Sequence, residues 1–246
     1  MTSSERRLGD AIQIPGNYQF QAAFAGSAPQ RFWHQTRFEV CLDMLEAGPS
    51  MRVLDVGCGS GVFADMVAAV DGTEVTAVDG NREAISFAQQ QFRRPNLDFR
   101  HGLVDELAFE ASSFERISCL EVIEHIHPEQ GRAVLRTFHR LLSPGGRLVI
   151  STPNMHSYWP ALEWSLDRLR LVPTMEGEQH VAGYHPRSLQ ALGEETGFRL
   201  LSTRTLFVLS PWLALANWRL AKALHRLEKA NPMHMGTLLV QSFERA

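Results

Sequence analysis

MRVLDVGCGSG, residues 51–61, is a short apolar run that breaks into glycines at positions 57, 59 and 61. The run Met51–Val56 reads as a buried strand, and the helical pattern Val62–Val70 follows directly. Between strand and helix, absent side chains let a ligand approach the backbone and the helix N-terminus, which implies something small and charged or phosphorylated. The spacing is G-x-G-x-G, with Val62 where a dinucleotide fingerprint would place its third glycine. A nicotinamide or flavin is therefore disfavoured.

Working outward, a second strand, Val75–Asp79, ends at Gly80. Asp79 stands 22 residues after Gly57, and a carboxylate there can accept both hydroxyl hydrogens of a ribose, so the ligand is expected to contain a nucleoside. The alternative is that the glycines only turn the chain and Asp79 caps the helix beginning near Arg82. Further strands are Arg116–Leu120, ending at Glu121, and Arg147–Ser151, after the turn Ser143-Pro-Gly-Gly146. Helical patterns cover Arg82–Phe92, Gln130–Leu142 and 187–196, and the late strands Leu200–Leu209 and Gly236–Phe243 flank a helix Trp212–Lys229. This alternation implies an α/β fold with a doubly wound, mostly parallel sheet.

Residues 1–48 are expected to form an N-terminal helical cover, with a helix Thr36–Glu46 that stops at Gly48-Pro49, and 49–246 the main domain. Residues 154–185 are too long for a plain connection and read as a lid. Its Tyr158, Trp159, Trp164 and Tyr184 either wall an apolar acceptor pocket, with His185 beside it, or cover the end of the sheet.

The 246 residues, 44% apolar and 21% charged, have ordinary globular composition, and a formal charge of −3 supplies no broad basic field for nucleic acid. No stretch reaches the roughly 18 apolar residues of a membrane span. The start, MTSSERRLGD, lacks a signal-peptide core, so a cytoplasmic protein is expected. Cys41, Cys58 and Cys119 are too scattered for disulfide staples or a structural zinc.

VLDVGCGSG followed by VTAVDGN resembles the first two cofactor motifs of class I S-adenosylmethionine-dependent methyltransferases, and the strand order resembles theirs from about residue 50 onward. The resemblance implies a seven-stranded Rossmann-like sheet. It also implies that Asp55, Gly57 and Gly59, with Cys58 between them, line the methionine end of the cofactor, and Asp79, followed by Gly80, the ribose. Leu103 stands where the family often has an acid, so the adenine amino group falls to the backbone of Leu103 and Val104 or to Asp105.

After the strand 116–120 comes Glu121-Val-Ile-Glu124-His125. If the chain turns helical there, positions i, i+3 and i+4 share a face at the carboxyl edge of the sheet, where such sheets bind ligands. Two carboxylates and an imidazole so close require a shared proton, water or cation. EVIEHI is similar to the motif of two metal-dependent branches of the superfamily, one methylating catechol-type hydroxyls in ubiquinone biosynthesis and one the terminal 2′-hydroxyl of small RNAs. That likeness implies Mg²⁺ or another divalent cation on Glu121, Glu124, His125 and His180, with His185 in reserve. Alternatively the histidine bonds backbone and Glu121 touches the cofactor.

The expected activity is methyl transfer from S-adenosylmethionine to a hydroxyl of a small aromatic or lipid-like acceptor, with Glu124 and His125 as the catalytic pair. Other readings are a metal-independent N- or sugar O-methyltransferase, terminal 2′-O-methylation of RNA, or a cofactor-binding regulatory module. In 212–229, Leu213, Leu220, Leu224 and Leu227 form an apolar stripe and Arg219, Lys222, Arg226 and Lys229 a basic one. Such a helix either makes peripheral contact with an anionic membrane or packs on its own domain.

Overall fold

The computed structural model describes residues 15–158, 160, 181–230 and 235–246. They form one seven-stranded sheet: β1 (Arg52–Val56), β2 (Glu74–Asp79), β3 (Leu97–His101), β4 (Phe114–Leu120), β5 (Leu142–Pro153), β6 (Phe198–Leu206) and β7 (Leu238–Arg245). The order is β3-β2-β1-β4-β5-β7-β6, with β7 antiparallel to both neighbours and the other strands parallel to one another. This is the expected α/β, Rossmann-like architecture.

Because side chains alternate across a strand, each buried strand feeds two cores. Val53, Val149 and Val240 join one core, and Leu54, Leu148, Ile150 and Leu239 join the other. The first is covered by α2 (Ala28–Leu45), α3 (Val62–Ala68) and α4 (Arg82–Gln91), through Phe32, Phe38, Phe63 and Ile85. The second is covered by α5 (Pro128–Leu141) and α6 (Pro186–Glu195), through Leu135, Phe138 and Leu189. A short α1 (Tyr18–Phe24) precedes them. The residues read as an N-terminal cover thus include α2, which is part of the core: Phe32, Phe38, Cys41 and Leu45 are buried against the sheet.

The single helix expected over Trp212–Lys229 is two helices, α7 (Ser210–Leu213) and α8 (Trp218–Ala230). The cause is local: the Asn217 side chain accepts a hydrogen bond from Leu220 N at 3.0 Å, which starts a new helix there. The buried face of α8 carries Ala221 and His225, and the leucines at 220 and 227 point outward.

Of the segment 154–185, the described ends meet: Asn154 bridges Tyr184, and Met155 N donates to Tyr184 O at 2.9 Å. Trp159, Trp164 and His180 lie outside the described residues.

Candidate active site

At the carboxyl end of β1 the chain passes through three left-handed glycines, Gly57, Gly59 and Gly61, with φ of 73°, 52° and 81°. Gly57 N and Cys58 N both donate to Val78 O, which holds the loop over the end of β2. A Cβ on Gly57 would come within 2.2 Å of Val122 Cγ2, and one on Gly59 within 2.6 Å of Gln19 Oε1. The loop is therefore packed between α1 and the turn after β4, and its left-handed glycines disfavour any side chain.

Asp79 does not cap the next helix; Asn81 does, accepting from Glu83 N and Ala84 N. Asp79 instead accepts from Gly59 N at 2.8 Å and Asn81 N at 2.7 Å, latching the glycine loop to β2. Burial raises its pKa, while those two amides and His101 oppose the rise. Beside it, the Gly80 carbonyl meets His101 Nε2 at 3.1 Å. Gly102 N donates to Asp79 O, which carries Leu103 and Val104 to the same edge, Leu103 half-buried and Val104 buried.

Asp55, the last polar residue of β1, is buried, accepts from Ser118 Oγ at 2.7 Å through Oδ1, and has no partner for Oδ2. Burial pushes its pKa up to about 7, the Ser118 bond pulling the other way and Asp79 adding to the rise. A second buried ionic group stands opposite. Arg37 of α2 lies between the Trp33 and Phe38 rings, 4.6 Å from each centroid, with Nη1 3.8 Å from Glu121 Oε2. Its Nη2 donates to His34 Nδ1 at 3.4 Å, and its Nε has no partner. A buried acceptor and a buried donor left unmade are costly unless a ligand satisfies them.

The turn Glu121–His125 is not an α-turn with three side chains on one face. Glu121 has φ of 56°, rare and strained for a non-glycine, and accepts from Ser151 Oγ at 2.7 Å. Only Ile123–His125 is helical, as a 3₁₀ turn. Glu124 points into the core, accepting from Thr152 Oγ1 at 3.1 Å, and burial, then Glu121, raise its pKa well above the carboxylate range. His125 remains half-exposed on the turn. The α-turn that would bring Glu121, Glu124 and His125 onto one face is absent, and His180, the fourth expected ligand, lies outside the described residues. Glu121 stays close enough to Glu124 to raise its pKa, and among the described residues no group of three His, Cys, Asp or Glu is placed to hold a metal ion.

Of the residues expected around an acceptor, Tyr184 is buried in the second core, its hydroxyl without a partner. Tyr158 is partly exposed, and its hydroxyl donates to Val208 O at 2.5 Å. His185 caps α6 and stacks on His156, with centroids 4.0 Å apart and planes 4° apart; burial, His156 and Arg187 lower its pKa. Sequence reasoning missed Gln19, Arg37 and His156. Arg37 carried a faint signal, a lone cation among Trp33, Phe38 and Val40.

The family pattern described as "Methyltransferase domain" matches residues 32–203. The ubiquinone biosynthesis O-methyltransferase of Xanthomonas oryzae pv. oryzae (strain PXO99A) is 40% identical over 106 residues, 42% of this chain and 43% of that protein. The match thus spans less than half the length of that relative. A Mycolicibacterium smegmatis protein described as a probable S-adenosylmethionine-dependent methyltransferase is 28% identical over 208 residues, 84% of this chain and 73% of that one. Among solved structures, an S-adenosylmethionine-dependent methyltransferase from Mesorhizobium loti shares the fold at TM-score 0.64 and 18% identity, covering 90% of this chain and 99% of that one. Magnesium protoporphyrin IX methyltransferase from Synechocystis with bound S-adenosylhomocysteine does so at TM-score 0.62 and 16% identity, covering 91% and 88%.

Proposed function

This chain belongs to the methyltransferase domain family, and we propose that it transfers the methyl group of S-adenosylmethionine to a hydroxyl of a small aromatic or lipid-like acceptor. The observation that carries the cofactor reading is a pair of unsatisfied buried atoms, Asp55 Oδ2 on the strand that runs into the glycine loop and Arg37 Nε, whose guanidinium faces Glu121. The amino-acid end of S-adenosylmethionine has an ammonium and a carboxylate, the charges these two atoms match. Asp79 ends β2 where a ribose would lie over the loop, and an adenine would lie toward Leu103 and Val104 at the same edge.

When bound, the sulfonium supplies an activated methyl group. The chain's own tasks are to hold both reactants in line, to keep water out and to take the acceptor's proton. His125, half-exposed and one residue beyond the buried Glu124, is the proposed base. Glu124 cannot reach an acceptor from the core, so it is a positioning residue that anchors the turn through Thr152 and through its own carbonyl, which accepts from Ala182 N at 3.0 Å. Among the described residues no group of three His, Cys, Asp or Glu is placed to hold a metal, and no step is derived through one. Hydroxyl methylation is supported by the partial likeness to the Xanthomonas relative. The test is incubation with ¹³C-methyl-labelled S-adenosylmethionine and catechol, sugar and amine acceptors. Label in an O-methyl product supports the reading, and label only on nitrogen overturns it.

A further inference from the structure

The insertion between β6 and β7 carries an apolar surface that the methyl-transfer reading leaves unused. Leu209 is 60% exposed, Trp212 43%, Leu215 66%, Leu220 56% and Leu227 70%. On α8 the exposed positions repeat at three, four and seven residues: Arg219, Leu220, Ala223, Arg226 and Leu227. A helix packed on its own domain turns polar residues to water; this one turns leucines and arginines outward together.

Its charges are sorted by direction. Lys222 pairs with Glu39 at 2.5 Å and Lys229 lies 3.9 Å from Asp43, both toward α2. Glu228 accepts from Leu209 N, Ser210 N and Ser210 Oγ, so its carboxylate is spent capping α7. That leaves Arg219 and Arg226 without an ion-pair partner among the described residues, beside the exposed leucines and with no acid on the same face. The insertion leaves β6 and re-enters β7 at the carboxyl edge of the sheet, the edge that holds the glycine loop.

We propose that the outer face of α7 and α8 docks on an anionic phospholipid bilayer. Leucine and tryptophan side chains enter the boundary between headgroups and acyl chains, while Arg219 and Arg226 reach lipid phosphates. A symmetric contact between two copies would set these arginines against like charges, so a second copy is the poorer occupant. The inference does not depend on the transfer reaction, because vesicle binding needs neither cofactor nor acceptor.

The test is sedimentation of the full chain with phosphatidylcholine vesicles, with and without one part in four of phosphatidylglycerol. The chain is expected to bind the anionic vesicles and lose binding in high salt. Arg219→Gln with Arg226→Gln should weaken partitioning about thirtyfold, roughly fivefold per charge. Leu220→Ser with Leu227→Ser should weaken it at unchanged charge, and both pairs should keep the parent's melting temperature because the side chains are exposed. Absent binding, equal binding to neutral and anionic vesicles, or binding that survives both double substitutions overturns the proposal. So does a dimer, seen by light scattering, that the leucine substitutions dissolve.

Discussion

Replacing Asp55 by Asn separates what this residue does for folding from what it does for the cofactor. Its carboxyl has a folded pKa of about 7 against an ordinary 3.8, because burial outweighs the Ser118 hydrogen bond. A carboxyl whose folded pKa lies above its unfolded value destabilises the protein as pH rises past about 4, and the loss is complete above about 7. At about pH 8 the penalty is about 4 kcal/mol, roughly three units at 1.36 kcal/mol each, and at about pH 5 it is nearer 2 kcal/mol. Asn keeps the bond from Ser118 through its carbonyl oxygen, but its amide nitrogen inherits the unpartnered place of Oδ2, which costs about 1–3 kcal/mol. That cost is independent of pH, so the variant's stability relative to the parent should rise by about 2–3 kcal/mol from pH 5 to pH 8. Urea unfolding at both pH values, without cofactor, reads this difference, and other titrations cancel. Affinity for S-adenosylhomocysteine should meanwhile fall by about tenfold or more, since a charged hydrogen bond is lost. A stability difference that stays constant between the two pH values would refute the reasoning.

Three further outcomes follow from the geometry. Gly57→Ala should destabilise by about 2–5 kcal/mol, combining left-handed backbone strain with the approach to Val122 Cγ2, and adding Val122→Ala should recover only the packing share; urea unfolding of both variants checks it. His125→Asn should lower kcat about a hundredfold or more while leaving S-adenosylhomocysteine affinity in place, so unchanged kcat would exclude His125 as the base. Because Glu121 and Glu124 are engaged by Ser151 and Thr152, excess EDTA should change turnover by no more than about twofold, and a larger loss restored by Mg²⁺ would return a metal to the site.

The strands were legible because β1, β4 and β5 each hold a stretch buried on both faces, 53–56, 117–120 and 148–153, that is mostly apolar and ends in turn residues or an acid. β3 was not legible as a strand: at the edge of the sheet, LDFRH buries only Phe99, and its polar neighbours mask the pattern. The cofactor loop could be read because glycine is required where φ is positive and neighbours crowd within 3 Å. The local shape of the acidic turn was not legible. Glu121 takes a left-handed conformation that no side-chain pattern announces, and only Ile123–His125 is helical there, as a 3₁₀ turn. Arg37 was hidden because a buried cation looks like a solvated one until the rings that enclose it are placed. On α8 the stripe of leucines drew the eye, but Leu220 and Leu227 face outward, while His225 packs against Phe32 and Phe207 and Ala221 joins the same core.

Calorimetric titration of S-adenosylhomocysteine into the chain and into its Asp79→Ala variant tests the cofactor site most directly. The parent should show saturable binding at one site. The variant, folded by circular dichroism, should bind about ten- to a hundredfold more weakly, because the ribose loses its acceptor and Gly59 N its latch. Absence of binding by the parent, or equal affinity in both, would contradict the assignment of the glycine loop and Asp79 to S-adenosylmethionine.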